Sequence, residues 1–277
     1  MSAEFRDFQT LKSTGRILRL REKDFCFLCP FLFKGRFLSR EETRDFDTGR
    51  NFPFWGITFR DAGDMKFPPE TGIQQENRKN LYTVLGLDGP GAGYPLRVKL
   101  VHSKKVFYCS QKKGTFPENL GEGDGIICSP DSGIPFVTCA DCMPVYVYDV
   151  VNSNRAVFHS GWRGTGIVST GIALMKEKTT PENLAVVIGP HIRDCCYRVD
   201  KNRAEYFAGN FTPSAVKFRD GNYYLSLLEA NLFLLAQSGI PEENILVFDE
   251  CTSCNPLWGS FRREGPENFT RMAAFIL

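Results

Sequence analysis

The sequence predicts an α+β fold, arranged as a single layered domain with mixed β-sheets and flanking helices over residues 1–277. Short strand-like runs follow one another from about residue 96, and several are continuously apolar, as expected of strands covered on both faces. Helical patterns interrupt these runs without the regular strand–helix alternation of a purely parallel sheet. No repeat, low-complexity tract or flexible linker divides the chain. One domain with sheets of mixed direction is therefore expected.

The strands are predicted from short apolar runs bounded by polar or turn residues. They cover residues 96–101, 106–109, 125–128, 144–150, 155–159, 184–188, 245–248 and, as the last one, 272–277. The first 65 or so residues are aromatic, charged and irregular, and they carry few periodic signals.

Two helices are predicted. Residues 165–178 follow a glycine-rich segment and are followed by Pro181, which favours a helix between them. Residues 222–238 carry leucines at helical spacing, and the segment beginning at Gly239 closes this second helix.

Composition excludes several classes of protein. A chain of 277 residues that is 42% hydrophobic and 24% charged is typical of a globular protein with a large core. Thirty-four basic residues against 32 acidic ones leave +2, which favours neither nucleic acid nor membrane as a partner. The first residues lack the apolar core of a signal peptide, and no apolar run is long enough to span a bilayer. A cytoplasmic protein is expected, and the sequence does not indicate its oligomeric state.

Ten cysteines in such a chain are expected to be reduced thiols. Three C-x-x-C pairs occur, and each is separated from the next by more than a hundred residues: Cys26/Cys29, Cys139/Cys142 and Cys251/Cys254. Two such pairs close together would indicate a structural zinc site. Their wide separation argues against one built from these pairs.

The chain has only three histidines, and two of them stand at the ends of predicted strands. His102 follows the strand at 96–101, and His159 ends the strand at 155–159; His191 is the third. Acid–base and metal-binding histidines often lie where a strand passes into a loop. Taken singly, either histidine is equally well explained as a hydrogen-bonded residue at a sheet edge.

The segment Thr138-Cys-Ala-Asp-Cys-Met-Pro144 holds a cysteine at the start of a predicted strand. Cys142 is a candidate nucleophile or metal ligand there. The neighbouring carboxylate of Asp141 is expected to raise the pKa of the thiol, which disfavours an unaided nucleophile, whereas a bound metal would deprotonate it. Cys139 is expected to pack in the core.

A glycine-rich turn after His159, Ser160-Gly-Trp-Arg-Gly-Thr-Gly166, leads into the first predicted helix. Glycines allow close approach of the backbone to a ligand, and free N–H groups at a helix start attract anions. Arg163 and Gly164 are therefore candidate phosphate-binding residues. The alternative is a tight turn with a solvent-facing arginine.

Together, His102, Cys142 and His159 form a set of two imidazoles and one thiolate. That composition suits zinc with an open fourth position, as in catalytic sites, and copper could also occupy it. Asp141 is a further candidate catalytic residue, which would orient one of these three metal-binding side chains without binding the metal itself.

Three motifs resemble the YfiH-like family, also called laccase-domain or polyphenol oxidoreductase proteins. They are Val101-His102-Ser103, Thr138-x-Ala-Asp-Cys142 and His159-x-Gly-Trp-Arg-Gly164. Further similar segments, in the same order along residues 76–277, are Ile188-Gly-Pro190, Cys195-Cys-Tyr197, Glu250-Cys-Thr252 and Arg271-Met-Ala-Ala-Phe275. Residues 1–75 form a divergent N-terminal part.

The resemblance implies a purine nucleoside phosphorylase that cleaves adenosine, inosine and methylthioadenosine with phosphate and also deaminates adenosine. It implies a zinc site at His102, Cys142 and His159, catalytic function for the same residues, and a single layered α+β domain. Older descriptions of the family as copper-dependent laccases imply copper as the other metal.

The chain departs from the family pattern in several places. The first histidine lies in Leu100-Val-His-Ser103 rather than Gln-Val-His-Gly, and His191 stands where relatives often have cysteine. Arg198 replaces a common acidic residue, and residues 33–40 are the nearest but poor match to an N-terminal Thr-Thr-Arg motif. The preferred nucleoside is therefore left open.

Three other functions are compatible with the residues. A copper-dependent polyphenol oxidoreductase is one, although three histidines cannot supply several coppers. A cysteine hydrolase with Cys142 as nucleophile and His159 or His102 as base is another. The last is a binding protein that keeps the metal without catalysis.

Overall fold

The computed structural model describes residues 16–20, 23–38, 53–88, 93–111 and 116–277. Within them the strands are β1 (Arg16–Leu20), β2 (Lys23–Pro30), β3 (Leu32–Phe33), β4 (Arg36–Phe37), β5 (Phe54–Thr58), β6 (Pro95–Lys99), β7 (Val106–Cys109), β8 (Asn119–Glu122), β9 (Gly125–Cys128), β10 (Ile134–Cys139), β11 (Met143–Asp149), β12 (Arg155–Ser160), β13 (Leu184–Ile188), β14 (Arg198–Val199), β15 (Val216–Arg219), β16 (Asn222–Leu225), β17 (Ile245–Val247) and β18 (Met272–Ile276). The α-helices are α1 (Gly72–Leu85), α2 (Ile167–Met175), α3 (Lys201–Asn210), α4 (Leu227–Gln237) and α5 (Phe261–Glu264). Short 3-10 turns cover Arg60–Ala62, Pro181–Asn183, Pro213–Ala215 and Glu242–Asn244.

Two large sheets organise these elements. The first has seven strands in the order β1-β2-β5-β18-β10-β6-β8, and the second has six in the order β17-β13-β11-β12-β9-β7. In the first sheet β10, β6 and β8 are parallel and the other pairs antiparallel. In the second, the outer pairs β13–β17 and β7–β9 are parallel and the inner pairs antiparallel. The predicted α+β fold with mixed sheets is confirmed.

The main core lies between the two sheets. Alternate residues of the second sheet point into it, such as Tyr146 and Val157, while Val145 and Phe158 point to the opposite face. The ring of Tyr146 lies 5.3 Å from that of Trp55, which belongs to the first sheet. Both faces of these strands are covered, which explains why their sequences are continuously apolar.

Helices close both outer faces. Helix α1 packs on the first sheet through Leu81, and α2, α3 and α4 pack on the second. A capping box starts α1, because Thr71 accepts from the Gln74 N–H and the Gln74 side chain accepts from the Thr71 N–H. None of the helices in the described ranges is both long and apolar enough to cross a bilayer.

The strands predicted from apolar runs agree with the structure to within one or two residues. The first helix is shorter than predicted, Ile167–Met175 instead of 165–178. The second begins later than predicted: residues 222–225 form β16, and α4 starts after Ser226, whose hydroxyl accepts from the Glu229 N–H. Tyr223 and Tyr224 pair with two neighbouring strands, which aromatic residues favour, so the predicted start was wrong.

The N-terminal part contains elements that the sequence analysis did not predict. Strands β1, β2 and β5 complete one side of the first sheet, and α1 covers it. Cys26 and Cys29 lie on β2 and pack into different cores, on opposite faces of the sheet, so they cannot bind one metal together. Of the segment compared with the family's N-terminal motif, residues 39 and 40 lie outside the described residues.

The packing of α2 on the second sheet predicts opposite effects for two glycine-to-alanine changes. A Cβ at Gly171 would lie 2.1 Å from the Phe158 ring, whereas one at Gly209 in α3 would meet nothing within 4 Å. Gly171→Ala is expected to lower the free energy of unfolding by about 1–3 kcal/mol through overpacking. Gly209→Ala is expected to raise it by up to about 1 kcal/mol, since alanine loses less backbone entropy in a helix. Urea unfolding measures both, and equal shifts of one sign would contradict the packing.

Candidate metal centre

Three separated segments bring His102, Cys142 and His159 together. The antiparallel register of β11 and β12 sets Pro144 opposite His159, which places Cys142, just before β11, beside the end of β12. His102 lies in the loop between β6 and β7. One ligand atom from each of the three residues lies within 4.8 Å of the others, and the two imidazole centres are 5.0 Å apart.

The glycine-rich turn packs its backbone directly against this group. A Cβ at Gly161 would lie 2.7 Å from the Cys142 sulfur and 3.4 Å from the His102 ring. A Cβ at Gly164 would lie 2.8 Å from the Ser103 carbonyl oxygen. Side chains at these two positions would push the donors apart, so glycine is needed for the close approach.

Asp124, which the sequence analysis missed, links two of the three donors. Its buried carboxylate accepts from Nδ1 of His159 at 2.9 Å and from the backbone N–H of His102 at 2.9 Å. The N–H and hydroxyl of Ser103 donate to its other oxygen at 2.6 and 2.8 Å. Because Asp124 engages Nδ1, a metal would bind His159 through Nε2 and displace the proton there.

Left-handed backbone occurs at two non-glycine residues of the site. His102 has φ 58° and Asp141 has φ 78°. Such conformations cost about 1–3 kcal/mol and persist where the surroundings hold them. At His102 the hydrogen bond from its N–H to Asp124 does so.

Asp141 contacts other residues than the three donors. Its carboxylate accepts from the Thr252 hydroxyl at 2.7 Å and from the Arg262 N–H at 2.6 Å. Its carbonyl oxygen accepts from the Ile192 N–H at 2.9 Å. Asp141 thereby ties the turn before Cys142 to three segments of the C-terminal half.

The pKa of the Cys142 thiol is lowered, whereas the neighbouring Asp141 led us to expect that it would be raised. Burial raises the pKa of Cys142, but the charge of His159 and hydrogen bonds with both imidazoles outweigh it, and the pKa falls to about 6. The expected increase was wrong because the two histidines dominate. In His159, burial lowers the pKa, but the Cys142 thiolate and Asp124 raise it to about 10. For Asp124, burial is likewise outweighed by hydrogen bonds from His159 and Ser103, and the pKa is lowered.

The site is open on one side. His159 is buried, Cys142 is partly exposed and His102 is exposed. Arg163, in the turn that follows His159, is exposed, and its guanidinium lies 5.0 Å from the centre of the Trp162 ring, while Gly164 is buried. Lys104 adds a second cation, since its amino group would lie 3.0 Å from a Cβ at Gly166, the residue before α2.

The remaining sequence candidates lie elsewhere. His191 is fully buried, with Nδ1 2.8 Å from the Gly189 carbonyl oxygen. Burial and the nearby Arg193 lower its pKa to about 3, so this imidazole is neutral. Cys139 is buried in the core between the sheets, as expected.

The three donors fit the ligand set of a catalytic metal ion, in which the protein fills three positions and leaves one open. Two imidazoles and a thiolate supply three protein ligands, and the exposed side leaves room for a fourth. The carboxylate behind His159 is the usual partner of a metal-bound imidazole.

The chain is similar to one protein family and to several curated proteins. The family described as "Multi-copper polyphenol oxidoreductase laccase" matches residues 71–277. The chain is 36% identical over 163 residues to purine nucleoside phosphorylase YlmD of Geobacillus stearothermophilus, which covers 55% of this chain and 59% of that protein. It is 33% identical over 189 residues to a purine nucleoside phosphorylase of Clostridium acetobutylicum, covering 65% and 75%. The chain thus spans somewhat over half the length of the Geobacillus relative.

Solved structures share the fold. The crystal structure of YlmD from Geobacillus stearothermophilus has a TM-score of 0.73 at 24% identity, covering 94% of this chain and 98% of that one. The structure of the hypothetical protein YfiH of Bacillus licheniformis has a TM-score of 0.72 at 27% identity, covering 81% and 92%.

The position of Asp124 predicts a loss of metal affinity on Asp124→Asn. The amide keeps the shape but loses the charge and turns a donor toward groups that already donate. Zinc affinity, measured by competition with a chromophoric chelator, is expected to fall about 10- to 100-fold. Asp61→Asn, at an exposed aspartate paired with Arg60, is the matched control and should bind zinc like the parent. Unchanged affinity in Asp124→Asn would refute the linking role.

Proposed function

This chain belongs to the multi-copper polyphenol oxidoreductase laccase family, and we propose that it is a metal-dependent purine nucleoside phosphorylase. The observation that carries the proposal is the partly exposed donor set of two histidines and one cysteine. The cations Arg163 and Lys104 belong to the two loops that carry His159 and His102 toward it. The names of the similar relatives from Geobacillus and Clostridium support the same activity.

Zinc is the proposed metal, held by His102, Cys142 and His159, with copper as the alternative. Zinc in such a position supplies Lewis acidity and lowers the pKa of a bound water. The proposed substrates are adenosine, inosine and methylthioadenosine together with phosphate, and adenosine deamination is the proposed second activity. Neither nucleic acid nor a membrane is a proposed partner, and the cytoplasm is the proposed location.

The residues around the donors have separate proposed tasks. Asp124 keeps the proton on Nδ1 of His159 and holds the loop that carries His102. Asp141 positions Cys142 through the backbone, since both of its carboxylate oxygens are engaged by Thr252 and Arg262. His102 stands on the exposed side, where a nucleoside would approach.

Phosphate is proposed to bind beside the turn between β12 and α2. Arg163 offers a planar guanidinium whose N–H groups face solvent, and Lys104 brings an amino group to the start of α2. Gly164 lets the turn that carries Arg163 pack against the loop that carries His102 and Lys104.

A cysteine hydrolase is the second candidate, because Cys142, His159 and Asp124 are connected like the members of a Cys-His-Asp triad. The low pKa of Cys142 favours a thiolate. However, His102 also contacts this thiol, and a second imidazole on the sulfur is typical of a metal-binding group. Oxidation of phenols at several coppers is disfavoured because the whole chain has only three histidines, too few to bind several copper ions.

An assay with inosine distinguishes a metal-dependent phosphorylase from a cysteine hydrolase. The purified protein is expected to release hypoxanthine and ribose 1-phosphate only when phosphate is present. Cys142→Asp is expected to keep part of this activity and some zinc at the site, because a carboxylate can bind zinc but cannot form a thioester. Chromatography of the products and elemental analysis measure both. A covalent substrate adduct on Cys142, found by mass spectrometry of the parent, would overturn the metal mechanism.

Removing the Arg163 guanidinium is expected to harm phosphorolysis selectively. Loss of one charged hydrogen-bonding partner costs on the order of 1.5–3 kcal/mol, or about ten- to more than hundredfold in kcat/KM for inosine phosphorolysis. Adenosine deamination, which uses water, should fall much less in Arg163→Ala. Arg60→Ala, at a partly exposed arginine paired with Asp61, is the matched control. Equal losses in both reactions with zinc retained would show that Arg163 does not serve phosphate.

A further inference from the structure

A second group of metal-binding side chains lies outside the site described above. Four thiols converge there, contributed by Cys195, Cys196, Cys251 and Cys254. Their sulfur atoms all lie within 4.8 Å of one another. The Cys254 sulfur is 3.6 Å from that of Cys195 and 3.3 Å from that of Cys196.

These separations match a single tetrahedral ion. Four thiolates at the usual zinc–sulfur distance of about 2.3 Å stand about 3.8 Å apart along the edges of the tetrahedron. A disulfide would require about 2.05 Å. An iron–sulfur cluster would spread its four cysteines over several metal atoms, whereas here all four sulfurs lie within 4.8 Å of one another.

The backbone around the sulfurs is arranged to receive negative charge. The N–H of Arg193 donates to the Cys251 sulfur at 3.5 Å, and the N–H of Cys254 donates to the same sulfur across the C-x-x-C turn. Parallel pairing of His191 with Cys251 holds the two segments side by side.

Cations surround the group as well. Arg219 donates to the carbonyl oxygens of Asp194 and Cys195, both at 2.8 Å. Arg262 donates to the Cys196 carbonyl oxygen at 3.1 Å. A zinc tetrathiolate carries a net charge of −2, and these guanidinium groups would offset it.

We propose that Cys195, Cys196, Cys251 and Cys254 bind a structural zinc ion, separate from the His102–Cys142–His159 site and with all four positions filled by protein. The C-x-x-C pair Cys251/Cys254 lies beside the adjacent cysteines Cys195 and Cys196, not beside another C-x-x-C pair. The spacing of C-x-x-C pairs along the sequence therefore did not predict this site.

The proposed ion would link two segments that contact the His102–Cys142–His159 site. The segment of Cys195 includes Ile192, which donates to the Asp141 carbonyl oxygen, and the segment of Cys251 includes Thr252, which donates to the Asp141 carboxylate. Both segments therefore meet the turn that carries Cys142. Zinc in the four-cysteine group would fix the distance between them.

The test is zinc content after purification with zinc and removal of the excess. About two zinc ions per chain are expected in the parent, and about one in either Cys251→Ser or Cys142→Ser. The double variant should hold none. Cys26→Ala, at a buried cysteine of another C-x-x-C pair, is the matched control and should keep both ions. A parent with a single zinc that Cys251→Ser leaves in place would overturn the inference, independently of the fate of the nucleoside activity.

A ligand swap and a labelling experiment guard against loss of folding in the variants. Cys254→His supplies another zinc ligand at an exposed position and should retain the second ion that Cys254→Ser loses. In the unmodified parent, bound zinc should protect all four thiols from alkylation by iodoacetamide until a chelator is added, as peptide mapping would show. Equal alkylation of Cys195 and Cys254 before and after chelation, or a disulfide among the four, would refute the site.

Discussion

The carboxylate of Asp124 is the constraint on which the candidate metal centre depends. It is fully buried, and a buried carboxylate is costly unless donors surround it. The donors here are the backbone of His102 and Ser103 on one side and the ring of His159 on the other. The loop conformation that satisfies the charge also brings the imidazole of His102 within 5.0 Å of that of His159. One ionic group thus sets both the backbone of one donor and the ring orientation of another.

The other donors depend on the two sheets. Cys142 and His159 are neighbours because the hydrogen-bond register of β11 and β12 makes them so. A shift by one residue would turn every side chain of these strands to the other face, which the cores on both sides forbid. Gly161 then brings the turn after β12 against the Cys142 sulfur, where no side chain would fit. The site is therefore a product of strand register, one buried charge and one close backbone contact.

The strands of the second sheet could be predicted because both faces of that sheet are covered, so each strand is a short, continuous apolar run bounded by polar or turn residues. Sequence reasoning found His102, Cys142 and His159 because histidines are scarce and the motifs around them are distinctive. It missed Asp124, since an aspartate between Gly123 and Gly125 looks like any loop residue until its donors from a distant segment are known. The partnership of Cys195 with Cys254 was hidden for the same reason, because it depends on the pairing of two segments more than fifty residues apart.

Strand β18 has a place in the first sheet that bears on the order in which the chain can fold. It lies between β5 and β10, and β1, β2 and β5 reach the rest of the sheet only through it. During synthesis the ribosome delivers β5 some two hundred residues before β18. Until then, β5 and β10 each present an apolar strand with an unpaired edge, the kind of surface on which nascent chains associate wrongly. Residues 272–276 close both edges at once, so this half of the molecule can complete its core only after these residues have been synthesised.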